Sequence, residues 1–167
     1  MIQGEKTMIQ LRIKDESELY NHFDPTGTRI NDDVYRYLKT FSIEPEFRQN
    51  PRNTLRIISD GPVDLEKFQK LLQNAVKRDL DEFDAQITRN NRRVIWEFIT
   101  GIALSAIGVL LTVALDQVLL AIISFIGSMA IRDAITTLTK VNHDIKYLRK
   151  LLVPFTDLTL EVVRNVE

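Results

Sequence analysis

The run VIWEFITGIALSAIGVLLTVALDQVLLAIISFIGSMAI, residues 94–131, is the feature that most narrows what this chain can fold into. Between Phe98 and Leu115 it carries no charge, and Phe98, Ile99, Ile102, Leu104, Ile107, Val109, Leu110, Leu111, Val113 and Leu115 are mixed only with Gly, Ala, Ser and Thr. As a helix rising 1.5 Å per residue this stretch reaches about 27 Å, close to the roughly 30 Å of bilayer hydrocarbon. At about −0.3 to −0.6 kcal/mol for each large apolar residue, insertion is favoured by on the order of 3 to 6 kcal/mol. Asp116-Gln117 interrupts the run, and Val118 to Ile131 resumes it. That second piece covers only about 21 Å, so crossing requires Arg132 to snorkel, local thinning, or continuation through Ala134 and Ile135.

Charge placement supports two crossings. Lys77, Arg78, Arg89, Arg92 and Arg93 precede the run, and Arg132, Lys140, Lys146, Arg149 and Lys150 follow it, with no Lys or Arg between. By the positive-inside rule both flanks are cytoplasmic. The expectation is a transmembrane hairpin over 94–133, turning at 116–117, with both termini inside and Trp96 anchoring at the interface. Glu97 and Arg132 also fall at the interface. Counted from the turn, they lie about 29 Å and about 23 Å down their helices, an offset a long Arg side chain bridges. A pairing of the two is one expectation, and Asp133 or water taking Arg132 is the other. A soluble hairpin buried in an oligomer is the competing reading, but 167 residues leave little polar protein to cover two helices apolar all round. Gly101, Ser105, Gly108, Ser124, Gly127 and Ser128 are small enough to let the two helices approach, which suits packing of the hairpin on itself better than a pore.

Leu65, Phe68, Leu72, Val76, Phe83 and Ile87 recur at helical spacing, so 64–93 reads as an amphipathic stalk helix, capped by Asp64 and running unbroken into the first span. Ile131, Leu138, Ile145 and Leu152, with Ala134, Val141 and Leu148, make a heptad seam over the return helix, 134–153, which Pro154 stops. Pairing of this seam with the 64–93 helix, as an antiparallel coiled-coil stalk, is one expectation, and two surface helices lying separately on a small domain is the other. Alternation at Ile9, Leu11 and Ile13, the run TLRIIS (54–59) and LTLEVV (158–163) mark three strands of one small sheet. ESELYNHF and DDVYRYLKTF, the latter capped by Asn31, read as helices, and SIEPEFRQNPRN as a loop. The fold class is therefore an α+β membrane protein: a long antiparallel helical hairpin with two spans and a small three-stranded cytoplasmic domain built from 1–63 and the strand-bearing tail 154–167.

Chemistry is sparse. The chain has no cysteine, and His22 and His143 are its only histidines, in no metal-binding spacing. No phosphate loop, GxGxxG, GxSxG or HExxH is present. His22, Asp24, Asp32, Asp33 and Asp60 fall near predicted turns and helix starts, where folding could gather them into a ligand site. The competing reading makes each carboxylate a turn former or helix cap. No catalytic residue, metal site or cofactor is assigned. A net charge of −1 gives no basic field for nucleic acid, and the opening MIQGEKTMIQLRIK lacks the apolar run of a signal peptide.

The segments ELYNHFDP, DDVYRYLKTF, SDGPVD and IISFIGS together resemble a group of uncharacterised bacterial membrane proteins with two spans. The resemblance covers most of the chain and implies a bacterial cytoplasmic-membrane location without supplying a function. The leading expectation is a non-enzymatic, membrane-anchored module that binds a cytoplasmic ligand or protein. An oligomeric membrane effector or pore is the first alternative, and a small membrane-bound enzyme using the acidic cluster is the second. The expected partners are the bilayer and either a second copy or a cytoplasmic protein.

Overall fold

The structure, a computed structural model, describes residues 8–49, 53–110 and 116–164. The start of the chain, part of the 42–53 loop and the end of the first apolar run, 111–115, lie outside the described residues. The chain forms two compact units, one from the residues up to Asp81 and from Leu148 onward, the other from Glu82 to Tyr147.

In the first unit, strands β1 (Met8–Ile13), β2 (Thr54–Ser59) and β3 (Thr159–Arg164) form a sheet in the order β1-β2-β3, parallel throughout. Local patterning located the strands but left their direction open. Parallel neighbours require long crossovers, and here these are helical. Between β1 and β2 come a 3-10 turn (Glu16–Leu19), helix α1 (Asp32–Phe41) and helix α2 (Pro45–Gln49). The alternation of β1 is realised as buried Ile9, Leu11 and Ile13 against exposed Met8, Gln10 and Arg12. Leu55, Ile57, Phe68, Leu72, Val76 and Phe155 share that core. The other sheet face stays open, with Arg56 and Glu161, which are register partners, 3.7 Å apart.

Two local expectations change. ESELYNHF makes only the short 3-10 turn, because Tyr20 turns extended and its backbone bridges Ile30. The loop SIEPEFRQNPRN contains α2: Pro45 sits at the first helical position, where no N–H is needed, and Phe47 is wholly buried against Phe155. As expected, Asn31 caps α1 by accepting from the Asp33 N–H at 2.9 Å, and Asp64 accepts from the Lys67 N–H at 3.0 Å. From there helix α3 runs unbroken from Leu65 to Leu110.

In the second unit α3 packs against helix α4 (Gln117–Thr136) and the start of α5 (Asn142–Leu152), which a π-helical turn over Thr137–Val141 joins. Numbers rise along one helix as they fall along the other: Asn90 meets Asn142, Gly101 meets Ile131 and Gly108 meets Ser124. The pair is antiparallel. Both long helices are long and apolar enough to cross a membrane.

Small residues set the approach. A Cβ on Gly101 would lie 2.6 Å from Ile131 and 2.9 Å from the Gly127 carbonyl oxygen, so only glycine fits. Val94, Gly101 and Gly108 are buried on α3 and Gly127 and Ala134 on α4, each series at sevenfold spacing. The expected seam is kept only in part, with Ala134, Ile145 and Leu152 buried. Leu138, Val141 and Leu148 are exposed, and Asn142 takes the buried place after Ala134. The π turn accommodates one extra residue, so an eight-residue step returns to the same face.

Candidate functional site

The expected pairing of Glu97 with Arg132 is not formed. Arg93, one turn earlier on α3, holds the Glu97 carboxylate at 2.5 Å, and Arg132 is in no ion pair among the described residues. A partner on the same helix is already within reach, so the cross-hairpin contact loses. Trp96 points outward, 61% exposed.

The loop from Tyr20 to Asn31 is heavily hydrogen-bonded within itself. Its ends are tied by the Asn21 N–H to the Arg29 carbonyl at 3.0 Å and the Asn31 N–H to the Leu19 carbonyl at 2.9 Å. Inside it the Asp24 carboxylate accepts from the backbone N–H groups of Thr26 (3.0 Å) and Thr28 (2.9 Å) and from both threonine hydroxyls. The Thr26 hydroxyl first, aided by these other donors, holds the carboxyl well below the usual range. Gly27, with φ of 58°, supplies a left-handed residue that the turn needs.

The five flagged side chains do not converge. Asp24 is consumed by its own loop. Asp33 faces solvent with Arg36 at 3.6 Å, and His22 and Asp60 are exposed and line none of the clefts described below. Asp32 reaches a cleft, where Asn21 Nδ2 approaches it at 3.4 Å, and Asp24 borders the depression beside it. Among the described residues no group of three or more His, Cys, Asp or Glu could hold a metal ion.

That cleft, about 220 Å³, lies between the loop and α3. Asn21, Thr28, Arg29 and Asp32 line it from one side, and Leu71, Asn74 and Arg78 from α3. A wider depression of about 430 Å³ adjoins it, sharing Asn21, Thr28 and Arg29 and bordered by Phe23. Sequence reasoning looked for acids and missed Arg29, Asn74 and Arg78. They are far apart in sequence, and only the docking of the loop on α3 brings them together.

A second polar cluster ties α1 to α3. Asp79 accepts from Tyr35 Oη at 3.0 Å and Lys39 Nζ at 2.5 Å, and the Lys39 ammonium also lies 4.3 Å from the Tyr35 ring centre. Burial, then the Asp79 charge, pushes the Tyr35 phenol up. It is a tether between helices, with no activated group. No protein family matches the chain, and no curated protein or solved structure does.

Proposed function

We propose that this chain is a non-enzymatic, membrane-anchored module, in which the helical hairpin is the anchor and the α+β unit binds a cytoplasmic ligand or protein. One observation carries the reading: over the helical pair the large apolar side chains face outward. Ile95, Ile99, Ile102, Val109 and Leu110 on α3, and Val118, Ile122, Phe125 and Ile126 on α4, are all more than half exposed. A contiguous apolar surface of this extent has a poor place in water and a natural one in hydrocarbon. Within the runs Phe98–Leu110 and Val118–Ile131 there is no ionisable side chain, as a transport path often has. That favours an anchor over a conducting effector. The resemblance to two-span bacterial proteins and the basic flanks support a cytoplasmic-membrane location with both termini inside.

The test is fractionation and topology together. After lysis and a carbonate wash the full chain is expected in the membrane pellet, and reporters fused at either terminus are expected to report cytoplasm. Release into the soluble fraction overturns the anchor, and an external terminus overturns the topology.

A further inference from the structure

The cleft beside the Tyr20–Asn31 loop is lined by two cations that form no close ion pair with its own carboxylate, Asp32, or with Asp24 of the adjoining depression. Arg29 makes no ion pair among the described residues, and Arg78 has only Asp79 at 3.9 Å, a carboxylate already taken by Lys39 and Tyr35. The Asn74 amide, on the same wall, has no hydrogen-bond partner among the described residues. Two guanidiniums and an amide facing one concavity are the donor set that recognises a phosphate or carboxylate, since the planar fork of Arg matches a pair of anionic oxygens.

Asp32 narrows the choice. Its carboxylate lines the same cleft and is only loosely engaged by Asn21 at 3.4 Å. A bare anion would meet its repulsion, whereas a ligand with a hydroxyl beside the anionic group would donate to it. Size narrows the choice further. About 220 Å³ is below the roughly 300 Å³ at which drug-sized sites begin, so the cleft suits a headgroup. The adjoining depression lets the rest of a larger ligand leave past Phe23, which is 97% exposed. The site is also built before any ligand arrives, because Asp24 and the paired loop ends fix Arg29 and Asn21, and such pre-organisation lowers the cost of binding.

From this we propose that the Arg29–Arg78 cleft binds a phosphoester carrying a hydroxyl next to its phosphate, either as a free metabolite or as the headgroup of a lipid. The phosphate sits between Arg29, Arg78 and Asn74, and the hydroxyl donates to Asp32. The proposal rests on reading the α+β unit as a ligand-binding module, and it gives that ligand a chemistry.

The test uses the full chain in phosphatidylcholine nanodiscs, titrated calorimetrically with glycerol 3-phosphate and with inorganic phosphate. Saturable binding is expected, tighter for glycerol 3-phosphate. Arg29→Gln and Arg78→Gln each weaken it about tenfold or more, as loss of a charged hydrogen bond does. Asp32→Asn removes the preference between the two ligands. Unchanged thermal melting checks that each variant is folded, and Arg29→Lys, which keeps the charge but loses the fork, falls between. Repeating the titration in phosphatidylglycerol and, at matched surface charge, phosphatidylserine nanodiscs separates the sources: weaker apparent affinity in phosphatidylglycerol than in phosphatidylserine, which has no hydroxyl beside its phosphate, identifies the lipid headgroup as occupant, and equal affinity in the two identifies the free phosphoester. Absence of saturable binding, equal affinity for the two ligands, or binding indifferent to both Arg substitutions overturns the proposal. Carbonate retention reads the anchor separately, so failure of the cleft and failure of the membrane reading are told apart.

Discussion

Asp24 shows how one side chain can hold a loop without a metal or a sheet. It accepts from two backbone N–H groups and two hydroxyls within four residues, and the charged form is the one those donors stabilise, so its pKa lies below the ordinary 3.8. The contribution to stability is thus complete above that ordinary value and is lost as pH falls through it toward the lower folded value. Asp24→Asn is expected to lower the melting temperature at neutral pH, with the gap from the unsubstituted protein closing as pH drops below about 3.8. Melting followed by circular dichroism across that range checks it, and a gap independent of pH would argue against the charge as the cause. The residues on either side explain what sequence could and could not show. Asp24 before Pro25 announced a turn, whereas Arg29 and Arg78 carried no signal, since a guanidinium on a polar surface is the commonest thing a soluble face displays. Glu97 misled because its charge was seen and its neighbour Arg93, one turn back, was counted only as a flank.

At the scale of elements, close approach and register dominate. Gly101→Leu forces a side chain into Ile131 and the Gly127 backbone and is expected to destabilise the hairpin by about 1–3 kcal/mol or more. Ser128→Leu, on an exposed position of α4, is expected to be near neutral in detergent or lipid. Equal effects in a detergent-unfolding assay would refute the packing assigned to the two faces. The π turn makes a sharper prediction. Deleting Thr139 leaves a seven-residue step from Ala134 to Asn142, so the helix can become regular α while Asn142 still meets Asn90 and Asn91. Deleting Ser128 rotates Met129–Thr136 by about 100° and takes Ala134 off the buried face before the π turn at Thr137–Val141 can absorb the change. Thr139 deletion is therefore expected to be the milder of the two by thermal melting. Strands β1 and β2 and helix α1 were legible because alternation, β-branched runs and an Asn cap are local signals. The seam was legible at Ala134, Ile145 and Leu152 but not at Leu138, Val141 and Leu148, because the π turn puts Asn142 in the buried place that the sequence pattern gives to Val141.

At the scale of the whole molecule, the apolar run announced two long helices, and these are present, each long and apolar enough to cross a membrane. What no local pattern contained was the direction of the sheet. Parallel pairing is a statement about connections, and it follows here from the helices that separate each strand from the next. The order β1-β2-β3 places the central strand next to a partner made much later. Thr54 is in register with Thr159, and at about 5–20 residues per second a ribosome needs on the order of 5–20 s to make the chain between them. For that interval β2 has β1 on one side and an open row of N–H and C=O groups on the other, the kind of edge that recruits stray strands. The intervening product is mainly the helical pair, so the folding of that pair and the wait of the sheet overlap in time. A message cut short before Thr159 would therefore yield a polypeptide with its apolar helices complete and an adhesive β-edge still open, a species that the biosynthetic machinery has reason to detect and remove.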